Sequence, residues 1–193
     1  MKLSIQRPSD ESLGRFLDEC LREELSYGPW GISESPAGFN VDRSSTGLGQ
    51  GPAVFAKACE CLRVWQHFAL PWITLYPPDA AVAPGTTVVI VVRYLGLWWL
   101  NACRIVRVTS AEPGRWGFSY GTLWSHAECG EESFTVAMEP SDGAVTYEIR
   151  AVARPRAFVA RLGYPLTRRL QARFRRDSGA AMRRAVDTLT EHV

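Results

Sequence analysis

The sequence predicts an α+β fold in which a strongly curved antiparallel sheet of about six or seven strands wraps around a long C-terminal helix. Three observations carry this prediction. Six stretches rich in β-branched and aromatic residues follow one another between residues 72 and 153, with short turn signals between them. Amphipathic helical patterns stand before and after these stretches. The 193 residues suffice for a single domain, residues 1–193, with a proper hydrophobic core.

An extra helix is predicted near the N-terminus, over about residues 9–25. Ser9 is a favourable N-cap, and Asp10 and Glu11 place negative charge in the first turn, where the helix dipole favours it. The helix is expected to lie on another part of the fold, because one face is apolar. That face is formed by Leu13, Phe16, Leu17, Cys20, Leu21 and Leu25.

The stretch from Leu25 to Gly51 is rich in Gly, Ser and Pro and predicts one strand, or an irregular pair, that ends in GLGQG. Pro52 suits the first turn of a second helix, which should end near His67. GLGQG before a helix is also compatible with a phosphate loop. It lacks the Lys-Ser/Thr ending and a surrounding βαβ unit, so a tight strand-to-helix connection is favoured.

Six strands of an antiparallel meander are predicted after the second helix, joined by links such as PPDAAVAPG, AEPG and PSDG. A long amphipathic helix follows, over about residues 156–188, and its apolar residues from Phe158 to Phe174 recur roughly every four positions. The predicted strands are Trp72 to Tyr76, Thr86 to Tyr94, Trp98 to Thr109, Arg115 to Trp124, Glu128 to Met138 and Ala144 to Ala153.

This order of elements is that of the helix-grip fold, and five segments carry a closer resemblance. GLGQGPAVFAKA, LRVWQHFALPW, LGLWWLNACRIV, GFSYGTLWSHAECGEESF and ARPRAFVARLGYPLTRRLQARFRRDSGAAM resemble a bacterial and plant family known as the domain of unknown function numbered nineteen-ninety. The resemblance runs from about Tyr27 to Met182. It implies the START-like helix-grip architecture of lipid-transfer proteins, polyketide cyclases and hormone receptors, and it implies no particular reaction.

Composition narrows the class of protein. The N-terminal MKLSIQRPSDE turns polar before an apolar stretch develops, so we expect no signal peptide and a cytoplasmic protein. The longest apolar run, Val88 to Ile105, contains Arg93, Asn101 and Arg104 and therefore predicts two buried strands and no membrane span. Five cysteines without CxxC spacing predict reduced thiols, and we expect no metal and no cofactor.

Strand alternation predicts which side chains face the C-terminal helix and line a cavity there. In the strand from Trp98 to Thr109, the row that includes Leu100, Ala102 and Arg104 is assigned to the concave face. Arg104 and Glu132 are then the charges that point inward, and a buried lone charge needs a partner. A purely structural ion pair stays open. The predicted cavity residues are Arg104, Tyr120, Glu132 and Tyr147, with Trp72, Trp116, Phe118 and Trp124 as apolar walls.

The segment YGTLWSHAECGEESF gathers His126, Glu128, Glu131 and Glu132 in a few residues. A metal site is disfavoured, because Glu131 and Glu132 point to opposite faces of a regular strand. A hydrogen-bonded turn at the end of the sheet is favoured. Acid or base catalysis by His126, with Glu128 or Glu132, is the alternative.

The C-terminal segment is basic: residues 151–193 carry 10 Lys and Arg against 3 Asp and Glu. Its arginines are either a solvated face paired with an acidic body or a site for RNA or an anionic membrane surface. The leading hypothesis is a protein that binds a small apolar or amphipathic molecule. An enzyme of cyclase or hydrolase type using His126 or Glu132, and an RNA or membrane adaptor, are the alternatives. A homodimer stays open.

Overall fold

The computed structural model describes residues 2–28, 36–110, 112–156 and 164–188. Eight strands and three α-helices occur in these residues, with one short 3-10 turn at Gln66–Phe68. In chain order they are β1 (Lys2–Ser4), α1 (Asp10–Cys20), β2 (Asn40–Gln50), α2 (Pro52–Arg63), β3 (Ile73–Tyr76), β4 (Thr87–Tyr94), β5 (Leu97–Thr109), β6 (Arg115–Thr122), β7 (Glu128–Met138), β8 (Ala144–Pro155) and α3 (Tyr164–Thr188).

The strands form one curved antiparallel sheet in the order β2-β8-β7-β6-β5-β4-β3, with β1 paired to the start of β5. The six predicted strands are confirmed as β3 to β8, and the described part of the stretch before Pro52 contains one strand, β2. β1 was not predicted. It has only three residues, which is too short to show an alternating pattern.

The inner face of the sheet holds the larger core, which α2 and α3 cover. β2 passes into α2 through Gly51 alone, whose φ of 88° favours glycine and whose amide donates to the carbonyl of Gly143. The expected tight connection is therefore present. α2 is shorter than expected: it ends at Arg63, and Trp65 adopts a left-handed conformation before the 3-10 turn.

α1 covers the outer face of the sheet. Ser9 accepts the predicted capping bond from the amide of Ser12. The helix ends at Cys20, however, and does not reach residue 25 as the stripe suggested. After Cys20 the chain turns back toward the sheet, where Leu25 bridges to Leu123. The outer core consists of Leu13, Phe16, Cys20, Val89, Val91, Leu100, Ala102 and Leu123.

The predicted face of β5 was wrong. Leu100 and Ala102 lie under α1 on the outer face, and Arg104 follows in the same row. Its guanidinium donates to the carbonyls of Cys20, Leu21 and Glu23, which close the end of α1. Both faces of β5 are apolar because helices cover both, so alternation alone could not tell them apart. Arg104 therefore neither meets Glu132 nor enters a cavity on the inner face.

α3 occupies the hollow of the sheet. Its described part begins at Tyr164, and the predicted start, with Phe158 and Leu162, lies outside the described residues. Gly179 sets its distance from β2, because a Cβ there would clash with the hydroxyl oxygen of Thr46. Among the described residues, none of the helices is both apolar enough and long enough to span a membrane.

The position of Arg104 generates a stability prediction. We expect Arg104→Met to lower the free energy of unfolding by about 1–3 kcal/mol, because the carbonyls at the end of α1 lose a charged donor. Urea denaturation measures the loss, and amide hydrogen exchange in α1 localises it.

The control for this variant is Arg15→Met on the same helix. Arg15 makes an exposed ion pair with Glu11, so its loss should change stability by less than about 1 kcal/mol. Equal losses in the two variants, or unchanged exchange of α1 amides in Arg104→Met, would refute the assigned role of Arg104.

Candidate functional site

A cavity of about 360 Å³ lies between the inner face of the sheet and the N-terminal half of α3. Its floor comes from β3 to β8, and its roof comes from the α3 residues between Leu166 and Arg175. Most of the walls are apolar. They include Phe68, Trp72, Ile73, Ile90, Val92, Tyr94, Leu95, Trp99, Leu170 and Phe174.

Two side chains of neighbouring strands form the polar centre of the cavity. Tyr120 of β6 and Glu132 of β7 are directly paired across the strands, and the Tyr120 hydroxyl donates to Oε2 of Glu132 at 2.6 Å. Desolvation by burial raises the pKa of Glu132 to about 7, although the bond from Tyr120 opposes the rise. Glu132 therefore changes its protonation state near neutral pH.

A second carboxyl group, Glu128, lies on the same face of β7. Gln171 of α3 donates to its Oε1 at 2.6 Å, and burial raises its pKa. The backbone amide of Glu128 donates to Nδ1 of His126 at 2.9 Å. Burial lowers the pKa of His126 to about 3, so the ring is neutral and its proton lies on Nε2.

An ion-pair cluster joins α3 to the edge strand β2 beside these groups. Both guanidinium nitrogens of Arg168 donate to the carboxylate of Asp42, one of them at 2.7 Å. Arg175, which also lines the cavity, lies 3.4 Å from the same carboxylate. The bonds from Arg168 hold the pKa of Asp42 below its usual value.

Four of the residues predicted for the site line the cavity, namely Trp72, Tyr120, His126 and Glu132. Their functional roles stay predictions. The indole nitrogen of Trp72 donates to Asp177 at 3.1 Å, which fixes the ring against α3.

The other predicted site residues lie elsewhere. Trp116, Phe118 and Tyr147 belong to the packed core, where the Tyr147 hydroxyl bonds to Ser178 at 2.9 Å. Trp124 follows β6 and is 53% exposed, with Arg156 above its ring. Arg104 lies on the outer face, as described above.

Several wall residues were not predicted. Trp99 and Asn101 line the cavity because the inner row of β5 is the odd-numbered one. Gln171 and Arg175 were not predicted either, since their contacts depend on how far α3 slides along the sheet. Glu128 and Glu132 lie four residues apart on one strand, and this spacing could have predicted that both side chains lie on the same face of the sheet.

His67 is a further residue that the sequence did not single out. It is completely buried among aromatic rings, with the Phe68 and Phe134 centroids each 4.6 Å away. Within the described residues neither ring nitrogen has a hydrogen-bond partner, and burial lowers the pKa of His67 to about 3. The ring therefore acts as a neutral part of the core.

The acidic residues of YGTLWSHAECGEESF separate as alternation predicts. Glu131 points to the outer face, where the Tyr27 hydroxyl donates to it at 3.1 Å and Arg107 lies 3.6 Å away. Glu132 points to the inner face. No group of three or more His, Cys, Asp or Glu side chains suited to a metal ion occurs in the described part of the chain.

Acidic partners neutralise much of the basic face of α3. Arg168 and Arg175 share Asp42, whereas Arg173 and Arg176 share Asp177. Four of the seven arginines in this helix thus make ion pairs within the protein. This pattern agrees better with a structural face than with a polyanion site.

Comparison with known proteins identifies the family of this chain and finds solved structures with a similar fold. The family model described as a domain of unknown function (DUF1990) matches residues 26–181. A UPF0548 protein of Dictyostelium discoideum is 32% identical over 203 residues, which cover 94% of each chain. A hypothetical protein from Helicobacter pylori has 12% identity and a TM-score of 0.55, over 79% of this chain and 92% of its own. TTHA0849 from Thermus thermophilus has 13% identity and a TM-score of 0.52, over 80% of this chain and 100% of its own. The two structures share the fold alone.

The bond between Tyr120 and Glu132 generates a prediction about protonation. Tyr120→Phe should raise the pKa of Glu132 further, by at least about half a pH unit, because the charged carboxylate loses a donor. Carbon-13 NMR of labelled glutamate measures the titration, and Glu132→Gln identifies the signal. Tyr147→Phe is the matched control, since the Tyr147 hydroxyl bonds to Ser178 and not to Glu132.

The same titration affects stability with a defined sign. The pKa of Glu132 is about 7 in the folded protein and 4.5 as its ordinary value, so the folded state binds more protons between these limits. The contribution of Glu132 to stability therefore falls as pH rises from 4.5 to about 7, and Glu132→Gln should lack this component. A wild-type Glu132 that titrates near its ordinary value, or an unchanged titration in Tyr120→Phe, would overturn this description.

Proposed function

We propose that this chain, which belongs to the DUF1990 family, binds a small apolar or amphipathic molecule in the cavity between its sheet and α3. The observation that carries the proposal is the cavity itself. Its volume of about 360 Å³ lies within the range of small-molecule sites, and a few polar groups converge among mainly apolar walls.

The composition of the walls supports an apolar ligand body. The rings of Phe68 and Phe174 stack at 5.3 Å and present apolar surface to the cavity, together with Trp72 and Trp99. Burial of a ligand against such rings gains hydrophobic free energy in proportion to the area covered. The polar groups at Glu132, Tyr120 and His126 would orient one end of the ligand.

An approach to the cavity is suggested by the hairpin between β4 and β5. Leu95 lies in the tight turn of this hairpin with φ of 52°, is 69% exposed and also lines the cavity. Tyr94 and Trp99 flank it on the cavity wall. An exposed apolar residue beside a cavity is suited to the first contact with an apolar ligand.

One observation favours an enzyme as the second candidate function. Glu132 faces the cavity with a pKa of about 7, which suits a group that takes up and releases a proton at neutral pH. In that case Glu132, or His126 through Nε2, would move the proton. Turnover of a bound molecule would separate this function from simple binding.

A cytoplasmic location is part of the proposal. All five cysteines are buried as free thiols, which is the usual state in a reducing compartment.

The binding proposal predicts saturable binding of N-phenyl-1-naphthylamine, an apolar fluorescent probe that is uncharged at neutral pH. Its emission should rise on binding at one site per chain. Ala153→Trp should weaken the affinity at least about tenfold, because the indole would occupy the cavity that Ala153 lines.

The matched control is Ala172→Trp, which adds the same side chain at an exposed position of α3. Its affinity for the probe should equal that of the wild type, and circular dichroism and urea denaturation should show that both variants fold. Probe binding that survives unchanged in folded Ala153→Trp, or no probe binding by the wild type, would overturn the proposed function.

A further inference from the structure

We propose that the ligand of this cavity is an amine cation, whose ammonium group binds at Glu132 while its apolar body lies against the aromatic walls. The inference rests on the proposed function and deepens it by naming the class of ligand. Three properties of the described residues support it: the balance of charge, the free hydrogen-bond acceptors and the chemistry of the walls.

The charge around the polar end of the cavity is unbalanced. The carboxyl groups of Asp42, Glu128 and Glu132 lie at or beside this end, against the guanidinium groups of Arg168 and Arg175. Glu131 also borders the cavity, but its side chain faces Arg107 on the outer side of the sheet. Both arginines are paired with Asp42. One carboxylate therefore lacks a counter-ion when all three are ionised, and a single cation in the cavity would neutralise it.

The remaining titratable groups near Glu132 do not supply that positive charge. Burial lowers the pKa of His126 to about 3, so its ring is neutral. Burial raises the pKa values of Tyr120, Tyr147 and Cys103, so these groups are neutral as well. Among the described residues, the nearby guanidinium of Arg156 donates to the carbonyls of Trp124 and His126, so a cationic ligand would supply the positive charge that Glu132 lacks.

The two glutamates also keep free acceptor atoms. Tyr120 bonds to Oε2 of Glu132 and Gln171 bonds to Oε1 of Glu128. Within the described ranges, the other oxygen of each carboxyl group has no hydrogen-bond partner. An ammonium group has three donors and no acceptor, so it satisfies such an oxygen without leaving an unmatched acceptor of its own.

The position of the two acids suits one ammonium at Glu132 and a longer-range contribution from Glu128. Side chains four residues apart on a strand share a face, with backbones separated by about 13 Å. Glu128 therefore adds negative potential but does not contact the same ammonium group.

The aromatic walls of the cavity suit a cation as well. Phe68, Trp99 and Phe174 line the cavity, and the face of an aromatic ring attracts a cation because it carries the negative side of the ring quadrupole.

The test compares three molecules of similar shape and different charge: 2-(1-naphthyl)ethylamine, 2-(1-naphthyl)ethanol and the carboxylate 1-naphthaleneacetate. Each is titrated at about pH 8 against wild-type protein loaded with N-phenyl-1-naphthylamine, and the fluorescence loss gives its affinity. At this pH Glu132 is mainly ionised and the amine is protonated. We expect the amine to bind at least about tenfold more tightly than the alcohol, and the carboxylate most weakly.

Two variants assign the preference to Glu132. Glu132→Gln should abolish the advantage of the amine, so that the amine and the alcohol bind with equal affinity. Glu148→Gln is the matched control, because Glu148 is partly exposed and pairs with Arg115 outside the cavity. It should keep the full preference for the amine.

The outcomes separate the two proposals. If the naphthylamine probe binds but the amine shows no advantage over the alcohol, or displaces nothing, the inference about charge is overturned and the binding function stands. An amine preference retained by Glu132→Gln also overturns the inference. If the probe itself fails to bind to wild-type protein, the proposed function falls, and the inference falls with it.

Discussion

The cavity exists because the two halves of α3 attach to the sheet in different ways. The C-terminal half is buried: Met182 and Val186 lie in the core, Ser178 bonds to Tyr147, and Gly179 lies against β2. In the N-terminal half, Leu170 and Phe174 pack against the core but are only partly buried. Polar contacts from Arg168 and Arg175 to Asp42 and from Gln171 to Glu128 hold the edge of this half. Polar contacts at the edge of the helix keep it in place without filling the space beneath it.

This attachment also determines the electrostatics of the cavity. Arg168 and Arg175 are both paired with Asp42, and the charge of Arg175 lowers the pKa of Glu132 too little to offset the effect of its burial. An ionised carboxyl group enclosed without a counter-ion is costly, and the folded protein responds by holding a proton on Glu132 up to about pH 7. A bound cation relieves the same cost in a different way. Glu132, which reduces the stability of the folded protein at neutral pH, is thus the acid best suited to select a cationic ligand.

The fold could be predicted from the sequence wherever one face of an element differed from the other. Phe118 of β6, Glu132 of β7 and Tyr147 of β8 were assigned correctly to the inner face, because the outer rows of these strands are mostly small or polar. The same reasoning failed for β5, because α1 buries its outer row as fully as the core buries its inner row. The end of α1 could not be predicted from its stripe either, because Arg104, distant in sequence, accounts for it.

The site was predictable only in part for a related reason. Tyr120 and Glu132 meet through strand pairing, and strand pairing follows from the order of a meander. The partners on α3 follow from how that helix docks, which no periodicity encodes. Glu132 and Tyr120 could therefore be found together, whereas Gln171 and Arg175 could not.

The central claim is that the space under the N-terminal half of α3 holds a small organic molecule. The mass of freshly purified protein, measured under native and then denaturing conditions, tests this claim most directly. Our account predicts an organic mass that is bound at one per chain in the native state, is lost on denaturation and is absent from Ala153→Trp. A bare chain mass in the native state, or the same bound mass in folded Ala153→Trp, would contradict it.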